Sequence, residues 1–426
     1  MDERVDEIKN EKRLGGYFLE YYITEIVIEE LRHLTDIKIK LNRDKRTNML
    51  LTGKNGSGKT TLLRAMKAFL QMICEYNYDE ESTLWKMKIE GKDEEKMISF
   101  RGENQVSEIC KWLGRKIESA NYAVLNEING LHKLYHEGNF LIAFYGADRK
   151  IGIKKADGVT NVVLEQFYSV EDEPGKLLHQ YLIHLKTQQS YARNEGDMET
   201  VRMLEQWFER FTDALRVLLD NQSICLRYNY KNYDFLIVEE GRKPYGFEGL
   251  SDGYSAVIQI FTDLILRMER NWLKDGIIST YNMEGIVLID ELETHLHIGL
   301  QRNILPFLTR FFPKIQFIVS THSPYVLNSI ENCVIYDLEK NIRMEDMSGY
   351  SAEGIVEGYF EYEVYSEILL QKVKRYEALV NKDNPTEEER VERAKILVEM
   401  RQLSGDLAKE AKDAFEEIEQ RRKQHD

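Results

Sequence analysis

The sequence predicts an α/β protein with a mostly parallel sheet that helices cover on both faces. Short apolar runs typical of buried strands, such as 286–289 and 315–319, alternate with amphipathic segments typical of helices, such as 59–75 and 298–311. The chain has 426 residues but only six prolines, which suits long helices. We therefore expect strands and helices to follow one another along most of the chain.

Strands are predicted where short apolar or alternating runs occur, at 23–28, 37–41, 48–51, 140–145, 225–230, 234–238, 286–289, 315–319 and 334–336. Helices are predicted where apolar residues recur at intervals of three and four, at 59–75, 171–221, 249–270 and 298–311. The segment 171–221 is interpreted as a helical hairpin that turns near Asn194, Glu195 and Gly196.

The tail beyond Tyr362 is charged and helix-forming. It is broken at Asn384 and Pro385, and Thr386 and Glu389 have the spacing of a capping box. We therefore predict two tail helices that pack as an antiparallel hairpin.

The composition indicates a well-solvated globular protein. Hydrophobic residues make up 42% of the chain and charged residues 31%, and the net charge is −15. Such an acidic chain does not fit a protein that coats nucleic acid over its whole surface, although net charge says nothing about a local basic groove. No apolar run approaches the roughly 18 residues that cross a bilayer. The charged stretch 1–13 is unlike a secretory signal, and the four cysteines form no CxxC pair. We expect a reduced, cytoplasmic protein without a membrane partner.

Residues 53–60 fit the phosphate-binding pattern GxxxxGK[ST] at every fixed position, between a predicted strand and a predicted helix. Glycines let the backbone curl so that its N–H groups face phosphate oxygens, and the helix N-terminus adds positive potential. We expect Lys59 to reach the β- and γ-phosphates of ATP, and Thr60 to bind Mg²⁺. Further nucleotide contacts are predicted from the rest of this loop and the residue after it: Gly53, Lys54, Asn55, Gly56, Ser57, Gly58 and Thr61.

A second motif supplies the acids that hydrolysis needs. Four apolar residues at 286–289 precede Asp290 and Glu291. A hydrolase needs an acid on the metal and a group that activates water, so Asp290 is predicted to bind Mg²⁺ and Glu291 to polarise the attacking water. Taken alone, the pattern is equally typical of a strand that ends in two solvated acids. The upstream phosphate loop favours the catalytic interpretation.

With these motifs the chain resembles the ABC-type ATPase superfamily, in the branch with SMC, Rad-type repair and OLD-like proteins. Residues 250–254, Leu-Ser-Asp-Gly-Tyr, are similar to the signature motif, and residues 320–324, Ser-Thr-His-Ser-Pro, to the switch segment. The resemblance implies that His322 contacts the γ-phosphate. It also implies that Ser251 and Gly253 bind the γ-phosphate held by a second subunit, and hence a homodimer or a higher even-numbered oligomer around ATP.

The chain departs from the family pattern in two respects. Asp252 stands where the signature has its first glycine. The family's Q-loop is not obvious. Its candidate follows the predicted strand 140–145, with Arg149 as a phosphate contact, although a surface arginine is an equally good interpretation.

The resemblance divides the chain into four parts. Residues 1–75 and 246–345 form the two portions of a P-loop core of ABC-ATPase type. Residues 76–245 form an inserted lobe that carries the hairpin 171–221, and residues 346–426 form a helical tail. We slightly favour the tail as a partner-binding element over a packed cap.

The complete pattern is similar to standalone ATPase subunits of bacterial anti-phage systems, namely Septu-type ATPases, including those linked to retrons, and PARIS-type ATPases. This resemblance implies an ATPase that regulates a separate effector, expected to be a nuclease. The main alternative is an SMC-like repair ATPase that clamps DNA itself. The acidic balance and the lack of a long coiled-coil pattern count against it. A non-enzymatic scaffold with structural ATP and a transporter subunit are weaker alternatives.

Overall fold

The structure is a computed structural model. It describes residues 20–75, 84–87, 96–99, 122–125, 130–148, 158–275, 281–345, 347–360, 367–382, 384–402 and 415–421, together with the backbone of two short strands before residue 20. The chain divides into two compact units, Met1–Gly349 and Tyr350–Asp426. None of the described helices combines the length and apolar character that a membrane span requires.

The strands of the first unit are β1 (Arg13–Leu14), β2 (Tyr17–Phe18), β3 (Ile23–Leu31), β4 (Leu34–Lys40), β5 (Asn48–Thr52), β6 (Leu84–Met87), β7 (Lys96–Ser99), β8 (Tyr122–Leu125), β9 (Phe140–Tyr145), β10 (Cys225–Asn229), β11 (Asp234–Val238), β12 (Glu284–Ile289), β13 (Ile315–Ser320), β14 (Cys333–Asp337) and β15 (Ile342–Met344). Its helices are α1 (Lys59–Glu75), α2 (Leu131–His136), α3 (Leu178–Glu195), α4 (Met198–Leu218), α5 (Asp252–Asp275), α6 (Ile298–Phe311) and α7 (Pro324–Leu327).

The central sheet has six strands in the order β15-β14-β5-β13-β12-β9. All neighbours are parallel except β15, which is an antiparallel edge strand. Every residue of β5, β12, β13 and β14 is buried. Such strands read as continuous apolar runs because both faces of the sheet are covered. The predicted α/β class with a mostly parallel sheet is confirmed.

The strand order brings three distant segments to one edge of the sheet. β13 lies between β5 and β12, with Val319 beside Leu50 on one side and beside Ile289 on the other. The carboxyl ends of these strands therefore point the same way, at the edge where open α/β sheets bind ligands. The segments that follow them contain the phosphate loop, the paired acids and the switch histidine.

A second, antiparallel sheet has the order β4-β3-β8, and the buried side chain of Gln316 on β13 ties it to the central sheet. Its Oε1 accepts a hydrogen bond from the Ile23 N–H at 2.7 Å, and its Nε2 donates to the carbonyls of Ile23 and Thr47 at 2.9 Å. A buried amide with its bonds made fixes the two sheets relative to each other. The predicted insertion at 76–245 is more than a helical lobe, because it also supplies one strand to each of these two sheets, β8 and β9.

The predicted helical hairpin is formed by α3 and α4. Gly196 ends α3 with a φ of +80°, a conformation that glycine adopts without steric cost. Asp197 then caps α4 by accepting a hydrogen bond from the Thr200 N–H at 3.1 Å. Large side chains recurring at helical spacing bury one face of α4, among them Trp207 and Phe211. Each contributes on the order of 2 kcal/mol through burial.

The second unit contains α8 (Ala352–Gly358), α9 (Glu367–Val380), α10 (Glu387–Gln402) and α11 (415–421). Three ion pairs join α9 and the residues just after it to α10: Lys372 with Glu399, Arg375 with Glu392 and Lys382 with Glu389. The residue numbers rise along α9 while those of their partners on α10 fall, so the two helices are antiparallel, as predicted.

The predicted capping box lies at the start of α10. The Thr386 N–H donates to Glu389 Oε2 at 2.9 Å, and the Glu389 N–H donates to Thr386 Oγ1 at 3.3 Å. One feature of this unit was not predicted as a separate helix: α11 contributes Phe415 and Ile418 to the core that Tyr376 occupies on α9.

Candidate nucleotide-binding site

The phosphate loop runs from the end of β5 to the start of α1. Gly53, Gly56 and Gly58 adopt φ values of +126°, +83° and +98°, which L side chains rarely tolerate. At Gly58 a Cβ would also lie 2.8 Å from Leu34 Cδ1, because the turn between β3 and β4 rests on the loop. Lys54, Asn55 and Gly56 form the exposed part of the loop.

Lys59 is buried in this loop, with 5% of its surface exposed. Its Nζ donates hydrogen bonds to the carbonyls of Gly53 at 2.7 Å and Lys54 at 3.0 Å. Burial lowers the pKa of the Lys59 ammonium, and the carboxylates of Glu291 and Glu293 oppose that shift most. The cation therefore lies among acids that favour its charged form. Thr60 and Thr61 follow it, half-buried in the first turn of α1.

Asp290 directly follows β12 and is held in one orientation. Ser320 Oγ donates to Asp290 Oδ1 at 2.6 Å and accepts a hydrogen bond from the Glu291 N–H at 2.8 Å. The Asp290 N–H donates to the Tyr145 carbonyl of β9 at 2.8 Å. The motif reasoning did not single out Ser320 as a site residue. Its only signal was its place at the head of the switch segment.

Glu291 adopts a φ of +46°, although it is not a glycine. Such a conformation costs on the order of 1–3 kcal/mol and persists where the surrounding contacts enforce it, often at functional sites. Here the enforcing contacts are the bond to Ser320 and a hydrogen bond from Thr294 Oγ1 to Glu291 Oε2 at 3.2 Å. The Glu291 carboxylate is half-buried and adds to the field around Lys59.

His322 lies just beyond the end of β13. Its backbone N–H donates to Glu293 Oε1 at 2.5 Å. Burial, followed by the charge of Lys59, lowers the pKa of the imidazole, which favours the neutral ring. The structure brings Lys59, Asp290, Glu291 and His322 close enough that the charges of Lys59, Asp290 and Glu291 all act on the pKa of His322.

Several buried polar atoms of this group have no hydrogen-bond partner within the described part of the chain. They are Thr52 Oγ1, Ser57 Oγ, Glu293 Oε2 and His322 Nε2. A buried polar atom without a partner costs about 1–3 kcal/mol, so native proteins rarely concentrate them. Four at one sheet edge are typical of a site whose polar ligand supplies the missing bonds.

The signature residues lie in a second group. Ser251 and Asp252 are exposed at the start of α5, whereas Gly253 is buried. A Cβ on Gly253 would lie 2.4 Å from the His295 carbonyl oxygen, so the signature turn packs on the segment that follows the paired acids. Gly253 therefore contacts His295 and Leu296, which follow Glu291 in the sequence. Arg149, the Q-loop candidate, lies outside the described residues.

A buried ion pair anchors α5, the helix that the signature begins. Asp263 Oδ2 accepts hydrogen bonds from Arg267 Nε at 2.8 Å and from the Tyr145 hydroxyl at 2.7 Å. Asp263 Oδ1 accepts a bond from the Gly175 N–H at 2.9 Å. Because Tyr145 ends β9, this network ties the signature helix to the central sheet beside the strand that carries Asp290.

The sequence profile of the family described as "AAA domain, putative AbiEii toxin, Type IV TA system" matches residues 91–328, more than half of the chain. The chain belongs to this family. The matched region contains the signature, both acids and His322, and it begins after the phosphate loop.

Curated relatives carry names from two bacterial systems. The Septu protein PtuA of Bacillus mycoides (strain KBAB4) is 25% identical over 402 residues, covering 91% of this chain and 51% of the relative. This chain thus spans about half the length of that protein. The "Retron Vc95 probable ATPase" of Vibrio cholerae is 24% identical, with 81% of each chain covered. The "Retron Ec83 probable ATPase" of Escherichia coli is 22% identical, covering 83% of this chain and 80% of the relative.

Among solved structures, the chain is similar to the SMC head domain from Thermotoga maritima, with 12% identity and a TM-score of 0.33. That match covers 74% of this chain and 94% of the head domain. An SMC head bound to the C-terminal winged-helix domain of ScpA gives 12% identity and a TM-score of 0.38, covering 77% of this chain and 99% of the other.

Proposed function

We propose that the protein binds ATP with Mg²⁺, dimerises around the nucleotide and hydrolyses it slowly, and that this cycle regulates a separate effector, a nuclease, in bacterial anti-phage defence. The observation that carries the proposal is the group of buried polar atoms that have no hydrogen-bond partner among the described residues, at the edge where β5, β12 and β13 end. One of these atoms belongs to Thr52, at the end of β5, and the others belong to the phosphate loop, the segment that follows the paired acids and the switch segment. The last three are segments that ABC-type ATPases use for ATP.

Each side chain of the group has a role that its chemistry suits. The Lys59 ammonium exchanges its loop carbonyls for the β- and γ-phosphate oxygens of ATP. Thr60 and Asp290 hold Mg²⁺, which would neutralise charge on the phosphates. Ser320 keeps the Asp290 carboxylate in place through its 2.6 Å hydrogen bond. Glu291 accepts a hydrogen bond from the attacking water, and the neutral imidazole of His322 contacts the γ-phosphate.

The signature is proposed to act on the nucleotide of a second copy of the chain. Ser251 is exposed at the N-terminus of a long helix, where a hydroxyl and backbone N–H groups suit an anion. Gly253 lets that helix start approach the segment after Glu291. Completing two such sites requires two subunits, so we propose a homodimer or a higher even-numbered oligomer.

The regulatory role is supported by the relatives that are named Septu protein PtuA and retron ATPase. It extends beyond this site, because an effector would need a docking surface elsewhere. The helical tail, residues 346–426, is our candidate for that surface.

The effector proposal is tested by purifying tagged Glu291→Gln protein from its native host, with and without added ATP, and identifying associated proteins by mass spectrometry. A nuclease recovered in stoichiometric amount supports the proposal. Recovery of the chain alone, or with DNA that nuclease treatment removes, contradicts it and favours the DNA-clamping alternative.

A further inference from the structure

Glu293 is a link between the acid segment and the switch segment that the motif pattern does not assign. Three hydrogen bonds join the residues after Asp290 to Ser320, the last residue of β13, and to His322 just beyond it. The N–H groups of Glu291 and Leu292 donate to Ser320 Oγ at 2.8 Å and to the Ser320 carbonyl at 3.1 Å. The third connection is reversed, because Glu293 Oε1 accepts the His322 N–H at 2.5 Å.

This third connection is the only one of the three that a carboxylate makes. A hydrogen bond from a backbone N–H to a charged carboxylate is about twice as strong as a neutral one. It reaches the backbone of His322 itself, so it bears directly on the direction in which the imidazole points. The His322 Nε2 is buried and has no hydrogen-bond partner among the described residues, so no hydrogen bond to this atom from that part of the chain orients the ring.

Glu293 and Glu291 make different contacts. The Glu291 carboxylate accepts a hydrogen bond from Thr294, within its own segment, whereas the Glu293 carboxylate bonds across to the switch segment. The charge of Glu293 nevertheless acts on both Lys59 and His322, which places it beside the nucleotide site. Its Oε2 is buried and makes no hydrogen bond to the described residues.

We propose that Glu293 is a positioning residue of the ATPase: by accepting the His322 N–H, it fixes the switch segment so that the imidazole faces the γ-phosphate of bound ATP. The inference rests on the proposed ATP site and adds a specific dependence to it. Because the role is that of an acceptor acting through His322, an amide oxygen at the same position performs it.

The test is a double-mutant cycle with Glu293→Ala, Glu293→Gln, His322→Ala and the double variant Glu293→Ala/His322→Ala. Phosphate release gives kcat and KM, and the Tm shift caused by a non-hydrolysable ATP analogue with Mg²⁺ gives a readout without turnover. Glu331→Ala is the control, since this exposed glutamate precedes β14 at the opposite edge of the sheet.

We expect Glu293→Ala to lower kcat about tenfold while KM changes by less than about threefold, because a misplaced catalytic group affects the chemical step. Glu293→Gln should restore kcat to within about threefold of the wild type, and the double variant should equal His322→Ala alone. The control should match the wild type.

Two results would overturn the proposal. One is a kcat for Glu293→Gln as low as that for Glu293→Ala. The other is a double variant whose fold-loss in kcat equals the product of the fold-losses of the two single variants. If the wild type shows the analogue-dependent Tm shift but no measurable turnover, the Tm shifts of the same four variants are compared in place of their kcat values, with the same expected order. Failure of the ATP site is distinguishable, because the wild type would then show neither turnover nor a Tm shift, and both proposals would fall.

Discussion

Gly53, Gly56, Gly58 and Glu291 all adopt positive φ at the nucleotide-binding edge, but for different reasons. Glycine adopts positive φ without steric strain, and the motif places a glycine at each of these three positions, so the sequence predicts this conformation. At Glu291 it is enforced by Ser320 and is visible only in the structure. For single residues, the motif therefore predicts the backbone conformation of its glycines, but it does not reveal the contact that holds Glu291.

The same distinction explains which site residues the sequence missed. Lys59 lies in a local pattern that is specific by itself, and Asp290 and Glu291 lie in one that becomes specific once the phosphate loop precedes it. Ser320 and Glu293 act through contacts across about 30 residues of sequence, Ser320 to Asp290 and Glu293 to His322. Such pairings depend on β12 and β13 being neighbours in register, which no local pattern encodes.

Replacing Lys59 with Ala should abolish ATP binding, with affinity falling by at least about a hundredfold, because the buried ammonium supplies the main charge for the phosphates. Lys45→Ala is the control, since this exposed lysine precedes β5, at the end of the strand opposite to the phosphate loop. It should bind ATP within about twofold of the wild type. Fluorescent-nucleotide titration and phosphate release measure both. Equal affinity in the two variants would refute the role of Lys59.

At the scale of elements, α5 connects the nucleotide-binding edge to the helical lobe. Its first turn packs on His295 through Gly253, its middle is fixed to β9 through Asp263, and its far end carries Glu269 into the lobe. The sequence placed this helix within a few residues, at 249–270 against Asp252–Asp275. It did not reveal these attachments, because each involves a partner from a distant element.

Gly253→Ala tests the packing of the signature turn. Alanine would stabilise the helix by about 1 kcal/mol relative to glycine. Its Cβ, however, would lie 2.4 Å from the His295 carbonyl oxygen, and this steric clash outweighs the gain and displaces the signature turn. We expect ATP affinity within about twofold of the wild type and loss of the ATP-dependent dimer, measured by light scattering in the Glu291→Gln background. Gly349→Ala, with open space around it, is the control. A dimer that persists in Gly253→Ala would contradict this account of the signature.

Glu269 makes the lobe sensitive to pH. It is almost fully buried and accepts hydrogen bonds from Tyr181 at 3.0 Å, Trp207 at 2.7 Å and Tyr281 at 3.0 Å. Burial raises its pKa from 4.5 to about 7, although these hydrogen bonds oppose the shift. Because the pKa of Glu269 is higher in the folded state than in the unfolded state, protonated Glu269 contributes to folding stability. This contribution is complete below about pH 4.5 and is lost as the pH rises through about 7.

The corresponding prediction concerns Glu269→Gln. Between pH 5 and pH 8 the wild type should lose on the order of 3 kcal/mol of stability that the variant does not lose. Thermal unfolding followed by tryptophan fluorescence across this range measures the difference, with Glu209→Gln, exposed on α4, as the control. Parallel pH profiles for the wild type and Glu269→Gln would disprove the assignment.

At the scale of the whole molecule, the chain consists of two compact units and has a net charge of −15. The overall charge disfavours non-specific binding to nucleic acid and so weighs against the DNA-clamping alternative. The sequence predicted the sheet, the hairpin 171–221 and the paired tail helices, because each has a strong local period or cap. It could not give the strand order β15-β14-β5-β13-β12-β9, which depends on contacts between distant segments.

We propose that ATP joins two copies of the chain and that Glu291 is needed to release them. The most direct measurement is the mass of Glu291→Gln protein by multi-angle light scattering, with and without ATP and Mg²⁺. We expect ATP to convert the 50.2 kDa chain to a stable species of twice that mass, or of a higher even multiple, and we expect the additional substitution Lys59→Ala to prevent this. A mass that does not change with ATP, in a protein that binds the nucleotide, would contradict it.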